Sequence, residues 1–240
     1  MLKEKSTPTD LNRFGFYTSI LLSILTLGTF VVAFLTPPLS GPGCQANCIE
    51  YPYLDIASRW PRDYIWMFPA MILTLVYVVF FAIIHFWAEE KRKLFSLIAL
   101  IFASFSGLIL IMTYFIQVSV IQPSLLNGET DGISILTQYN PHGLFIALEE
   151  LGYILMALSF FFIAYAFSKE DKLEKSIRWN FMAGFWLCLI SLIIISITQG
   201  IQREYNFEII AISIDWLVLI IAGLLTARVF KRNLKNKTLN

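Results

Sequence analysis

Apolar residues run through this chain in six long blocks separated by short polar stretches. The blocks cover residues 14–36, 61–87, 95–121, 141–167, 180–200 and 207–230. At 1.5 Å of rise per residue, each can cross a hydrocarbon core about 30 Å thick, some with tilt. Unpaired backbone groups are not tolerated in lipid, so the blocks are predicted to be helices. The expected fold is all-α: a polytopic membrane helix bundle of six transmembrane helices, with residues 1–240 forming a single integral membrane domain. Trp60-Pro61 and Asn140-Pro141 place proline where a first helical residue has no use for its N–H. They predict helix starts there, with Asn140, and Asn206 before the last block, as N-caps.

Composition agrees with the pattern. Hydrophobic residues make up 57% of the chain and charged residues 15%, against about 25% charge in an ordinary soluble domain. The first block lacks a small-residue cleavage pattern and runs into PPLSGPG. It is therefore expected to be a retained helix and not a removed signal peptide. Nothing resembling a basic stripe or a nucleic-acid motif is present, so the expected partners are the lipid bilayer and a small molecule or cation, with no nucleic acid.

The distribution of Lys and Arg adds an orientation. Lys3, Lys5 and Arg13 precede the first block. Lys91, Arg92 and Lys93 follow the second, and Lys169, Lys172, Lys175 and Arg178 follow the fourth. Arg228, Lys231, Arg232, Lys235 and Lys237 close the chain. These are fifteen of the 18 basic residues, all on one side; Arg59, Arg62 and Arg203 fall on the other. Both termini are thus expected in the cytoplasm, in the plasma (cytoplasmic) membrane. Aromatic residues gather at the block ends: Tyr51, Tyr53, Trp60, Tyr64 and Trp66 outside, Trp87, Tyr165 and Trp179 inside. They read as interfacial belts. Cys44 and Cys48 share the first outer loop, where an oxidising environment favours a disulfide.

Against this apolar background three acids stand out. Glu149 and Glu150 lie eight or nine residues into the fourth block, roughly 12–14 Å along a helix. Asp215 lies at a matching depth in the sixth. A carboxylate at mid-membrane costs about 2.5–3.5 kcal/mol on insertion scales. Glu150 and Asp215 fall on stripes of small residues that favour close helix contact, so both are expected to face the bundle interior. Gln117, Gln199 and Tyr153 join them as candidate ligand- or proton-binding groups. Arg59 and Arg62, at the outer mouth, are the expected charge partners. Two readings compete: the arginines neutralise the acids and fix helix register, or at least one acid serves a ligand or a proton. No catalytic motif and no metal-ligand spacing appears, and neither a metal nor a cofactor is expected.

The functional expectation is an acidic, outward-facing pocket for a small cationic or amphipathic ligand. A proton- or cation-coupled transporter, a membrane enzyme acting on a lipid-like substrate, and a structural or assembly protein are the alternatives. The cytoplasmic halves carry no acid deep in an apolar run, which disfavours a continuous ionisable path.

Overall fold

A computed structural model describes residues 9–36, 39–41, 44 and 46–238; Lys3 and Lys5 lie outside them. Among the described residues the ordered elements are helices. They are α1 (Thr9–Phe34), α2 (Met67–Trp87), α3 (Lys93–Ile116), α4 (Gln122–Leu126), α5 (Ile133–Leu136), α6 (Leu144–Ile163), α7 (Lys172–Gln199) and α8 (Asn206–Thr238). A π-helical turn, Gln117–Ile121, joins α3 to α4 without a break. Six helices are long and apolar enough to cross a membrane, as the block pattern predicts. The protein is accordingly a multi-pass, all-helical membrane bundle. The short connections at 88–92, 167–171 and 200–205 make consecutive spans run in opposite directions. Asn233 Nδ2 of α8 lies 3.5 Å from Asn12 Oδ1 of α1, so both described ends of the chain lie at one end of the bundle, and the opposite end is called distal below.

The helices close a ring in the order α1, α2, α3, α6, α7, α8, with α6 also touching α8 across the centre. That position makes α6 the most enclosed span: 56% of its apolar stretch is buried, against 22% for α7. Lipid offers no hydrophobic drive for helix association, so close packing and interhelical hydrogen bonds hold such a ring. The α1–α8 seam shows both. A Cβ on Gly223 would stand 2.6 Å from the backbone oxygen of Ser19, so only glycine admits this approach. At the same level Ser23 Oγ donates to the Ile220 carbonyl at 2.9 Å. Tyr77 and Ser159 hydroxyls tie α2 to α6 at 2.5 Å, and Asn180 Nδ2 donates to the Val218 carbonyl, tying α7 to α8. Near the termini Asp171 caps α7 by accepting from the Leu173 and Glu174 N–H groups, and it receives Arg232 Nη1 at 2.7 Å. The hydrogen bond from Arg232, then that from the Glu174 N–H, holds the Asp171 carboxyl below its ordinary value.

Two predicted helix starts are corrected. The second span begins at Met67, not Pro61, because residues 57–66 fold into a 3₁₀ turn and successive turns. The fourth begins at Leu144, with Gly143 at the cap position and no side-chain cap. Asn140 is occupied elsewhere: its Nδ2 donates to the Ser134 carbonyl at 2.7 Å and its Oδ1 accepts from the His142 N–H. The amide that suited an N-cap instead closes the distal loop. Asn206 does open α8, but its Nδ2 reaches back to Gln199 Oε1.

Candidate functional site

At the distal end α1 and α8, tightly joined along their lower halves, stand apart and leave a cavity of about 550 Å³. Phe30 and Trp216, in edge-to-face contact at 5.9 Å, lie at the α1–α8 side of this space, on the approach to the closed seam. Phe34 and Ile209 belong both to the cavity lining and to the exposed surface (81% and 47% exposed). The cavity thus reaches the bundle exterior between the two helices.

Its polar rim comes from three connecting segments stitched together. Asp63, in the turns before α2, accepts from Arg62 Nη1 and from the Tyr139 hydroxyl, each at 2.8 Å. The Tyr205 hydroxyl lies 2.7 Å from Ser40 Oγ and 3.1 Å from the Gln138 carbonyl, to which it donates. Burial first, then the neighbouring Tyr64 and Asp63, pushes the Tyr139 phenol far above its ordinary value, so it remains a donor. Burial does the same for Tyr205. Gln117, in the π turn, donates Nε2 to the Leu136 carbonyl at 2.6 Å and accepts the Gln138 N–H at 3.0 Å. It therefore anchors the segment that carries Tyr139. Single π turns inside helices often mark functional sites.

Among the described residues two carboxylates border the cavity, Asp63 and Glu208, and none of the lining side chains is basic. Asp63 is already paired. Among the described residues no basic or hydroxyl group donates to Glu208; its carboxyl stands within hydrogen-bonding reach of Glu149 on α6. Glu149 is fully buried. Its Oε1 accepts the Tyr114 hydroxyl at 2.7 Å, and Tyr114 continues to the Tyr153 hydroxyl at 2.9 Å. Glu149 Oε2 is buried and meets no fixed donor.

The six residues expected to bind a ligand or proton do not share one chamber. Glu149 and Tyr153 belong to the polar chain behind Glu208, while Glu150 turns away from it. Gln117 braces a loop and Gln199 is exposed at the end of α7. Asp215 is fully buried, with neither oxygen hydrogen-bonded among the described residues, and close enough to Tyr77, Tyr153 and Cys188 to act on them electrostatically. None of the six lines the cavity itself. The expected charge partners are corrected too. Glu150 is held by Arg203, with Nε at 2.9 Å from Oε1 and Nη2 at 2.5 Å from Oε2. Arg62 serves Asp63, and among the described residues Arg59 Nε is buried without a hydrogen-bond partner. Arg203 prevails because the short α7–α8 connection sets it beside the distal half of α6, where its planar fork meets the carboxylate in two places.

Sequence reading passed over Asp63 and Glu208, which sit in a turn and in a first helical turn, where acids are ordinary. The available signal was spacing: Glu208, Ile212 and Asp215 lie four and three residues apart and so share a face of α8. Trp66 and Tyr64 are not simple belt residues either, since Trp66 lines the cavity and Tyr64 is wholly buried. Cys44 and Cys48 form the expected disulfide. Among the described residues no group of three or more His, Cys, Asp or Glu side chains is placed to hold a metal ion. No family model matches the chain, and no curated protein or solved structure matches it.

Proposed function

We propose that this protein binds a small organic cation bearing apolar groups, a quaternary or protonated ammonium, in the distal cavity. The observation that carries the reading is Glu208: a buried carboxyl without a basic partner among the described residues, on the wall of an aromatic cavity whose described lining includes no cationic side chain. Trp66, Tyr139, Phe145, Tyr205 and Trp216 offer ring faces and edges around that space. A desolvated cation–π contact contributes about 2 kcal/mol, and the carboxylate supplies the counter-charge that an apolar pocket lacks. The closed α1–α8 seam below the cavity supports binding from one end over passage through the bundle.

Intrinsic tryptophan fluorescence provides the readout, because Trp66 and Trp216 line the cavity. Benzyltrimethylammonium added to the protein in dodecyl maltoside should give a saturable change, and Glu208→Gln should weaken binding by about tenfold or more, equivalent to about 1.4 kcal/mol. A lipid headgroup carries the same chemistry as a free ammonium compound. If the headgroup is the natural occupant, short-chain phosphatidylcholine should compete while the matching phosphatidylglycerol does not. If the occupant is a free cation, neither lipid should compete. Absence of saturation, or binding indifferent to both Glu208→Gln and Asp63→Asn, would overturn the reading.

The excess of Lys and Arg at the termini end supports a cytoplasmic placement of both termini, with the cavity facing outward across the plasma membrane. Membrane-impermeant thiol reagents should label Gly128→Cys from outside intact cells and Lys172→Cys only after permeabilisation. The reverse pattern would refute that orientation.

A further inference from the structure

The carboxyls of Glu149 and Glu208 lie within hydrogen-bonding reach of each other, and among the described residues no basic side chain is paired with either. Two ionised carboxylates in contact in a low-dielectric interior repel strongly, and a proton between them converts that contact into a hydrogen bond. The surroundings leave room for such a proton. Glu149 Oε1 is satisfied by the Tyr114 hydroxyl, whereas among the described residues Oε2 has no donor. Glu208 belongs to the cavity wall, so the pair touches both the interior and whatever occupies the cavity.

We propose that an organic cation entering the cavity displaces a proton held between Glu149 and Glu208, so that binding is a cation–proton exchange. The inference rests on the cation-binding reading above and adds a coupling to it. The exchange balances in charge: the ammonium brings one positive charge to the Glu208 carboxylate, and the proton carries one away to the bulk. The nearby ionisable groups on α3, α6, the segment before α8 and the turns before α2 are each engaged. From α3 comes Tyr114, which donates to Glu149. From α6 come Tyr153, on Tyr114, and Glu150, which is neutralised by Arg203. From the segment before α8 comes Tyr205, bonded to Ser40 and Gln138. From the turns before α2 comes Asp63, paired with Arg62 and Tyr139. Asp215 lies further along α8 and does not border the cavity. Among the described residues, only the Glu149–Glu208 pair both lacks a cation and meets the cavity, through Glu208.

The test measures proton release as benzyltrimethylammonium binds to the protein in dodecyl maltoside, in weakly buffered solution with a pH-sensitive dye. The wild type should release roughly one proton per bound cation, and affinity should rise about tenfold per pH unit while the pair holds its proton. In Glu149→Gln the amide N–H replaces the shared proton as the donor to Glu208. Binding should persist while proton release and the pH dependence disappear. Difference infrared spectra of the wild type provide a check that needs no variant: adding the cation should remove a protonated-carboxyl band. Binding without proton release or band loss overturns the exchange and leaves the cation site standing. Release that persists in Glu149→Gln also overturns it, since the proton then comes from another group. Absence of any saturable fluorescence change removes the cation site and the exchange together.

Discussion

Arg203→Met is expected to destabilise the bundle by about 3 kcal/mol, the lower end of the range for breaking a buried ion pair. Glu150 retains only 7% of its side-chain exposure while Arg203 retains 33%. Removing the arginine therefore strands a carboxylate that water cannot reach, and it also severs a two-point hydrogen-bonded contact. The opposite truncation is milder, because a third of the guanidinium already meets solvent. Glu150→Gln should lose less than Arg203→Met, and the Glu150→Gln/Arg203→Met double variant should recover much of the arginine variant's loss. That non-additivity identifies a coupled pair. Unfolding in dodecyl maltoside, followed by tryptophan fluorescence, would measure it. A double variant whose loss equals the sum of the two single losses would show that the pair contributes nothing specific.

The second large effect lies at the α1–α8 seam. Gly223→Leu should destabilise by about 3 kcal/mol or more, at the upper end of overpacking losses. A Cβ there would meet Ser23 Oγ and the Ser19 carbonyl oxygen. The serine side chain can rotate, but the backbone oxygen cannot move without the helix. Separation of α1 from α8 would also break the Ser23–Ile220 hydrogen bond and disturb the Phe30–Trp216 contact beside the cavity. Gly28, on the same helix as Ser19, is the control, since nothing lies within 4 Å of its added Cβ. Gly28→Ala should change stability by no more than about 1 kcal/mol, in the stabilising direction given by helix propensity. Thermal unfolding of the two variants side by side separates a packing effect from a general intolerance of glycine replacement. Similar behaviour of both would remove the close-packing account.

Much of the architecture was legible because it follows from local physics. Length and hydropathy of a block decide whether a helix can span lipid, and six blocks became six candidate spans. The high price of a carboxylate in hydrocarbon made it safe to turn Glu149, Glu150 and Asp215 inward, and all three are buried. The Cys44–Cys48 bridge followed from two cysteines four residues apart in one loop.

Partner choice was not legible, because it depends on where separate segments cross. Arg203 and Glu150 are 53 residues apart, and Asp63 and Tyr139 are 76 apart. Proline and asparagine patterns placed two helix starts too early: hydrogen bonds within the 134–142 loop outweighed the capping preference of Asn140, and residues 57–66 fold into turns ahead of α2. The cavity itself arises from a difference along one helix pair: glycine contact closes α1 on α8 below, and aromatic bulk fills the widening gap above. Sequence alone determined which residues leave the lipid. The tertiary structure decided which of them meet, because the approach of Glu208 to Glu149, and of Glu208 to an aromatic chamber, exists only once α6 and α8 meet at the centre of the ring.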